Sequence, residues 1–220
     1  MTASHTQIAP FSAEDLRQRA LARLRLDLAP DAMHGLVSGG DHVLSPQVFA
    51  ADVTRPGKPA AVLVPIVARE EGATVLLTQR TTRLRQHSGQ IAFPGGKIDP
   101  QDESPVAAAL REAWEEIGLH ARHVDPLGYL DLYATGTGFR IFPLVAIVRP
   151  PFELTLNPEE VDDAFEVPLR FLMDPANHQR HTREADTGAR HFHAMPWEGR
   201  FIWGATAGML KNLHARLYCD

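Results

Sequence analysis

Apolar runs separated by turn-forming residues predict a β-rich chain between residues 60 and 203. Within these runs valine, isoleucine, leucine and aromatic residues dominate, and glycine or charged residues lie between them, as expected of strands joined by turns. The turn at 69–72, for example, joins the first two runs as a hairpin. The predicted strands are residues 60–68, 73–79, 91–93, 127–133, 139–148, 191–195 and 200–203.

Helical spacing of apolar residues is strongest in the segment that follows a double glycine, Gly95-Gly96. Ser104 is suited to cap the start of this helix with Pro105 at its first position, and Gly118 is suited to cap its end. One face carries the apolar residues and would pack on a sheet. Further helices are predicted at 12–26, 167–173 and 205–218, disorder at 1–11 and a long loop at 27–58.

The same central helix carries three glutamates on a second face, Glu112, Glu115 and Glu116. Like charges at i,i+4 destabilise an isolated helix by roughly 0.2–0.5 kcal/mol, so the cluster calls for an explanation. A solvated acidic face is the simplest one. Because Glu103 and a glycine loop lie just upstream, the alternative is a site for a hard divalent cation, Mg²⁺ or Mn²⁺, that binds a phosphate ester or anhydride.

Composition narrows the classes of function. Of the 220 residues, 44% are hydrophobic and 22% charged, which is typical of an ordinary globular protein of one domain. A net charge of −5 argues against a surface that coats nucleic acid. We find no secretory or membrane-spanning run, so a cytoplasmic location is expected.

The acidic helix and its loop resemble a known family motif, the Nudix box. That motif runs glycine, five residues, Glu, seven residues, Arg-Glu, apolar, any residue, Glu-Glu, any residue, Gly, apolar. The chain matches it from Glu103 onward, but six residues rather than five separate Gly96 from Glu103. The extra residue falls in the loop 97–102, where insertions are tolerated. The matching residues are Glu103, Arg111, Glu112, Ala113, Glu115, Glu116, Gly118 and Leu119.

The segment before the box resembles the motif that precedes it in Nudix enzymes acting on coenzyme A (CoA). Thr81 stands where that motif usually has Ser, and Ile91 where it usually has Val. An acidic protein must supply local cations for the diphosphate and 3′-phosphate of CoA, and the planar fork of arginine suits phosphate oxygens. The substrate-binding residues implied are Arg80, Arg85, Gly89, Phe93, Gly95, Gly96 and Lys97.

The resemblance implies a fold and roles for the box residues. The fold is α/β: a Nudix α/β/α sandwich with a mixed sheet and a catalytic loop–helix–loop. Glu112, Glu115 and Glu116 would hold the metal with the Gly96 carbonyl, and Glu103 would complete the shell or position water. Arg111 would pair with Glu103 or Glu115 to orient a carboxylate. Glu160, in an acidic run predicted as a loop, would join the metal site or act as base.

The implied reaction is hydrolysis of the diphosphate bond of CoA or acyl-CoA, giving adenosine 3′,5′-bisphosphate and a 4′-phosphopantetheine moiety. Two alternatives stay open: a diphosphatase for ADP-ribose or NADH-type dinucleotides, and a non-catalytic Nudix domain that senses a nucleotide or CoA. We expect an N-terminal helix and arm at 1–58 and a Nudix domain at 59–220. The expected partners are small molecules, without nucleic acid or membrane, and a homodimer is a compatible assembly.

Overall fold

The fold is a mixed β-sheet between two layers of helices, as seen in a computed structural model that describes residues 8–28, 37, 39–46, 57–83, 89–185 and 188–219. The strands are β1 Gly39–Gly40, β2 Lys58–Val67, β3 Thr74–Arg80, β4 Ile91–Ala92, β5 Gly95–Lys97, β6 Val124–Tyr129, β7 Tyr133–Ala134, β8 Phe139–Val148, β9 Val161–Pro168, β10 Gln179–Ala185, β11 Gly188–Trp197 and β12 Arg200–Trp203. The helices are α1 Ala13–Arg23, α2 Asp41–Leu44, α3 Pro105–Ile117, α4 Leu169–Leu172 and α5 Ala205–Leu217, with short 3₁₀ turns at Ala121–His123 and Pro175–Asn177.

Among the described residues, nine strands form the main sheet, in the order β1-β7-β8-β2-β3-β4, with β5 also paired to β2, β6 to β8 and β9 to β3. The central strands β2 and β8 run parallel, with Lys58 opposite Phe139 and Val67 opposite Val148. The remaining pairs are antiparallel except β1 with β7. A second, antiparallel sheet has the order β10-β11-β12.

The central strands are buried on both faces, and successive side chains enter two separate cores. Leu63 of β2 packs with Ala113 and Ile117 of α3. Its neighbour Val64 packs with Leu16 of α1 and other residues on the opposite face. Because side chains alternate along a strand, a continuous apolar run such as β2 is the pattern expected of a sheet covered on both sides. The α/β/α architecture inferred from the resemblance is therefore confirmed.

Helix α3 begins and ends where the sequence predicts. The Ser104 hydroxyl accepts a hydrogen bond from the Ala107 N–H, and Pro105 occupies the first turn. Gly118 caps the end in the left-handed conformation, with φ of 68°. Ala109, Ala113 and Ile117 are fully buried against the sheet, so the predicted apolar face is the one that packs.

The N-terminal segment is less separate than the predicted arm. Leu16 and Ala20 of α1, and Leu24 just after its end, join the same core as the residues of α5. Part of 1–11 lies outside the described residues, and disorder is wrong for Phe11, whose ring stacks on Tyr218 at 5.2 Å. Most of the predicted loop 27–58 is likewise outside them, and its described part contains β1 and α2. The domain boundary at residue 58 stays a prediction.

Two strands differ from the sequence expectation. The acidic run predicted as a loop continues into β9. Val167 and Pro168, predicted as helical, are the last two residues of that strand, and α4 begins at Leu169. Strand β10 is almost wholly polar, so its sequence lacks the apolar alternation that would identify it. In the part of the chain that the structure describes, no helix combines the length and apolarity needed to cross a membrane.

Candidate active site

The glycine loop brings the backbone of β5 directly under helix α3. Gly95 has a φ of 152°, and a Cβ there would lie 2.4 Å from the Ala61 carbonyl oxygen of β2. A Cβ on Gly96 would lie 2.6 Å from the carboxylate of Glu112. The first glycine is therefore required by the backbone and by its close approach to β2. The second leaves the space in which the Glu112 carboxylate sits.

Glu116 is the most buried acid of the helix, with 2% of its side chain exposed. Its Oε2 accepts a hydrogen bond from the Gly95 N–H at 3.1 Å, and its Oε1 accepts one from Arg80 Nη1 at 3.2 Å. Burial raises the pKa of this carboxyl to about 7 despite both donors, and the nearby Glu112 and Glu160 add to the rise. Burying several carboxylates close together disfavours their charged forms, and a bound cation would offset that cost.

Glu112 lies one turn before Glu116 and faces the same space. Burial raises its pKa, the Arg111 guanidinium opposes the rise, and the charges of Glu115 and Glu160 contribute to it. Arg111 Nη1 donates to Glu112 Oε1 at 3.0 Å. One oxygen of Glu112 is thus held by an arginine, which fixes the direction of the carboxylate.

The arginine of the box is anchored by Asp102 and does not pair with Glu103. Arg111 donates to both Asp102 oxygens, at 3.0 Å from Nε and 2.9 Å from Nη2, and Asp102 is 5% exposed. This bidentate pair holds the pKa of Asp102 below its usual range. Glu103 is exposed and makes no hydrogen bond or ion pair with another described residue. The extra loop residue turns Glu103 outward.

Glu115 lies beside the site. Its Oε2 accepts from Arg111 Nη1 at 2.9 Å, so the predicted pairing of this arginine with Glu115 is present. The side chain is half-exposed and does not line the cleft described below. On a helix, Glu112 and Glu116 share one face, and Glu115 is displaced from Glu116 by about 100°. The structure therefore brings together Glu112 and Glu116 but not all three glutamates.

Glu160 completes the acidic group from outside the helix. It precedes β9, which pairs with β3, and its charge contributes to the raised pKa of both Glu112 and Glu116. The Asn157 side-chain amide donates to Glu160 Oε1 at 3.4 Å. The prediction that this loop carboxylate lies at the site agrees with its place on the cleft wall.

The segment implied in CoA recognition is only partly described. Arg80, at the end of β3, pairs with Glu116 and also lines the cleft. Gly89 has a φ of 68° and donates its N–H to the Arg80 carbonyl at 3.1 Å. Gly89 is not among the described residues that line the cleft, and its role in substrate binding stays a prediction. Arg85 lies outside the described residues.

A cleft of about 590 Å³ connects these groups. This volume falls within the range typical of small-molecule sites, about 300–1,000 Å³. Phe93 is buried at its base, and Lys97 lies on its wall, as do Gly95 and Gly96. Its far wall comes from parts of the chain that the sequence did not single out. These are Asp41, Thr135, Phe139, Arg183, Arg190, Phe192 and Trp203.

The donors in the cleft suit a hard divalent cation, although they do not form a complete shell. Glu112, Glu116 and Glu160 offer carboxylate oxygens, the ligands that Mg²⁺ and Mn²⁺ prefer. Among the described residues, no three His, Cys, Asp or Glu side chains stand close enough to hold a metal by themselves. Mg²⁺ usually takes one or two carboxylates together with water and substrate phosphate oxygens, so the arrangement fits such an ion.

Asp102, the partner of Arg111, was not predicted as a site residue, although the sequence contains a signal for it. Counted back from Arg111, the motif gives Glu103; counted forward from Gly96 across five residues, it gives Asp102. In the structure Arg111 pairs with Asp102, the residue given by the forward count. Arg183 and Arg190 had no such signal, since they lie on strands of a separate sheet.

Comparison with known proteins agrees with this geometry. Residues 57–187 match the NUDIX domain family. The chain is 39% identical over 173 residues to the uncharacterized Nudix hydrolase NudL of Citrobacter koseri, covering 78% of this chain and 88% of the relative. It is 43% identical over 155 residues to the protein of the same name from Yersinia enterocolitica, covering 70% and 78%.

Solved structures of the family are also similar. One is a Nudix hydrolase, RenU, from M. smegmatis, 27% identical, with a TM-score of 0.44 over 51% of this chain and 71% of that one. Enzymes of this family hydrolyse pyrophosphate bonds in nucleoside diphosphate derivatives and generally use divalent metals such as Mg²⁺ or Mn²⁺. With the glycine loop, the glutamate helix and these relatives in agreement, the chain belongs to the Nudix hydrolase family.

Proposed function

We propose that the protein hydrolyses the diphosphate bond of coenzyme A and its derivatives, with a divalent metal, to adenosine 3′,5′-bisphosphate and 4′-phosphopantetheine or its acyl form. The observation that carries the proposal is the contact between Arg80 and Glu116. Arg80 belongs to the segment that resembles the CoA motif, and Glu116 belongs to the box. Arg80 and Glu116, which are 36 positions apart in the sequence, therefore meet in one cleft.

The metal would be held by Glu112 and Glu116, with Glu160 and the Gly96 carbonyl as further donors. Glu115, also predicted as a ligand, is bonded to Arg111 and would have to exchange that partner. When bound, such an ion neutralises charge that develops on the phosphoryl oxygens and makes an associated water more acidic.

The chain's own residues position the groups that react. Arg111 links the loop to the helix and orients Glu112, so its role is structural. Arg80 presents its guanidinium to the cleft beside Glu116, where a diphosphate oxygen could replace part of that contact. Lys97 adds a second cation on the wall. These cations offset the acidity of the site towards an anionic substrate.

Glu160 is our candidate for the group that accepts the proton of the attacking water. Glu112 and Glu116 are each engaged by an arginine, whereas the described partner of Glu160 is a neutral amide. The water oxygen forms a bond to one phosphorus, the bridging P–O bond breaks with its oxygen leaving on the other phosphorus, and each product keeps one phosphate of the original diphosphate. Attack at phosphorus leaves the thioester of an acyl-CoA intact.

A substrate panel tests the proposal. CoA, acetyl-CoA, NADH and ADP-ribose are incubated with Mg²⁺ or Mn²⁺, and products are identified by mass spectrometry. We expect the highest kcat/KM with CoA or its acyl form, and in ¹⁸O-water we expect the label on a product phosphate. A preference for ADP-ribose or NADH would mean that the proposed substrate is wrong, while the proposed hydrolysis of a diphosphate bond would stand. Label in acetate would identify a thioesterase and defeat the mechanism.

A non-catalytic sensor would hydrolyse none of the four compounds. The box of this chain retains the three glutamates of its helix, Glu112, Glu115 and Glu116. A domain that no longer catalyses a reaction would tolerate the loss of such carboxylates. Their retention, with Glu112 and Glu116 held by defined hydrogen bonds, therefore supports an enzyme.

A further inference from the structure

The second sheet turns one of its faces towards the cleft. Arg190 and Phe192 of β11 both line it, as residues two apart on a strand should if that face points inward. Arg183 of β10 is the direct cross-strand partner of Arg190 and also lines the cleft. Trp203 of β12 contacts Phe192 with ring centroids 5.3 Å apart. The face therefore offers two arginines beside an aromatic pair.

Two arginines opposite each other on neighbouring strands repel each other unless a counter-charge is present. Directly opposed residues have Cβ atoms about 5 Å apart, and like charges there destabilise a sheet. No hydrogen bond or ion pair joins the Arg183 side chain to another residue in the described part of the chain. Arg190 pairs with Asp41 at 2.8 Å. Arg183 therefore contributes a positive charge that no acid among the described residues pairs with.

Arg190 is held rigidly. Asp41 Oδ2 accepts from Arg190 Nη2 and from the Gly136 N–H at 3.0 Å, while Oδ1 accepts from the Tyr133 hydroxyl at 2.9 Å. Burial raises the pKa of Tyr133 well above its usual range, so its hydroxyl retains the proton that it donates. An arginine oriented in this way loses little freedom when it binds an anion.

The cleft is therefore charged oppositely at its two ends. Glu112 lies over Gly96 of β5, and Asp41 with Arg190 lies over the end of β7. Between β5 and β7 the sheet contains β2 and β8, a separation of about 14 Å at the usual spacing of strands. A substrate whose diphosphate lies at the acidic, metal-binding end would extend towards the arginines. A second anionic group on that substrate would meet them.

We propose that Arg183 and Arg190, here called the arginine pair, bind a phosphate monoester on the nucleotide, and that in CoA this group is the 3′-phosphate. The inference rests on the proposed function for the identity of the substrate. It adds a specificity element from the C-terminal strands to a site that the two sequence motifs alone would place around residues 76–119. The aromatic wall of Phe192 and Trp203 lies next to the pair, where a base could pack.

Binding to the full-length protein tests the pair without relying on turnover. Adenosine 3′,5′-bisphosphate and adenosine 5′-monophosphate are titrated by calorimetry in Mg²⁺ into the wild type, Arg183→Ala, Arg190→Ala and a control. The control is Arg180→Ala, an exposed arginine on the same strand whose position places it on the opposite face. It removes the same charge without touching the cleft.

We expect the wild type and the control to bind the bisphosphate about tenfold or more tightly than the monophosphate, as hydrogen bonds between charged groups allow. Each variant of the pair should lose most of this preference. Arg183→Ala is the safer variant, because Asp41 stays paired. An unchanged preference in both variants, or an equal loss of both ligands, would overturn the inference.

Kinetics separate this inference from the proposed function. The ratio of kcat/KM for CoA to that for dephospho-CoA, which lacks the 3′-phosphate, should fall about tenfold in either variant and stay constant in the control. If CoA is hydrolysed and the ratio does not change, the arginine pair is wrong and the function stands. If CoA is not hydrolysed, but the wild type still prefers the bisphosphate and the two variants lose that preference, the function is wrong and the phosphate site stands.

Discussion

At the scale of single residues, Glu116 meets two opposing demands. Its carboxyl group is almost completely buried, which favours the neutral form and raises its pKa to about 7. The proposed metal needs the charged form. The Gly95 N–H and Arg80 stabilise that charge only in part. A bound cation would supply the rest, so this residue links metal binding to pH.

Replacing Glu116 by Gln should therefore reduce turnover sharply. Gln keeps an oxygen for the Gly95 N–H but removes a charged ligand, and loss of one such contact typically costs about 10²–10³ in kcat. Activity is measured at saturating metal, with circular dichroism to confirm folding. Glu103→Gln is the matched control within the box, and its activity should stay close to wild type because Glu103 faces solvent. Equal activities for both variants would mean that Glu116 does not hold a metal needed for turnover.

The same substitution should have the opposite effect on stability in the metal-free protein. Because the pKa of Glu116 is raised from 4.5 to about 7, its charged form is disfavoured by folding. The contribution of this group to the free energy of unfolding is fully present below pH 4.5. It is lost as the pH rises through about 7, by up to about 3 kcal/mol. Glu116→Gln should thus raise the free energy of unfolding at pH 8 and change it little at pH 5. Urea denaturation in EDTA measures this, and a loss of stability at pH 8 would contradict the pKa argument.

At the scale of elements, the box helix was predictable to the residue, whereas its loop was not. Ser104, Pro105 and Gly118 act through local backbone rules that a sequence displays directly. The partner of Arg111 depends on how an extra loop residue is absorbed, which local rules do not decide. Strand β10 lacks apolar residues, and it forms because β11 provides a partner for pairing. Such elements depend on tertiary context, which propensity does not report.

The loop assignment can be tested with neighbouring residues. Asp102→Ala removes both hydrogen bonds that anchor Arg111 and leaves a cation without its main partner. We expect a loss of about 1–3 kcal/mol in unfolding free energy and a fall in kcat, since Arg111 would no longer orient Glu112. Glu103→Ala, one position along, should change neither. Thermal unfolding and steady-state kinetics of the two variants decide which residue performs the role of the first box glutamate.

At the scale of the whole molecule, the α/β/α sandwich could be predicted from the family resemblance, whereas the cleft could be predicted only in part. Arg80, Phe93, the glycines and the helix form one wall, and all come from segments with recognisable motifs. The opposite wall combines Asp41 from the predicted arm with Arg183 and Arg190 from the second sheet. No local pattern brings these together, because their proximity results from packing between distant elements. An acidic protein thereby brings two further arginines to its cleft.

The packing of α1 leads to a last prediction, which concerns the independence of the N-terminal segment. Leu16 is fully buried in the core that includes Leu210 and Leu213 of α5, whereas Leu21 on the same helix is 57% exposed. Leu16→Ala should lower the free energy of unfolding by about 2–5 kcal/mol through lost burial and a cavity.

The matched variant Leu21→Ala should change stability by about 0.5 kcal/mol or less. Chemical denaturation of both variants gives the comparison, and a single cooperative transition is expected because α1 and α5 share one core. If Leu16→Ala were as mild as Leu21→Ala, the helix would be a loosely attached arm and the Nudix domain would be complete from residue 59. A large, cooperative loss would instead place α1 within the folding unit that supports the cleft.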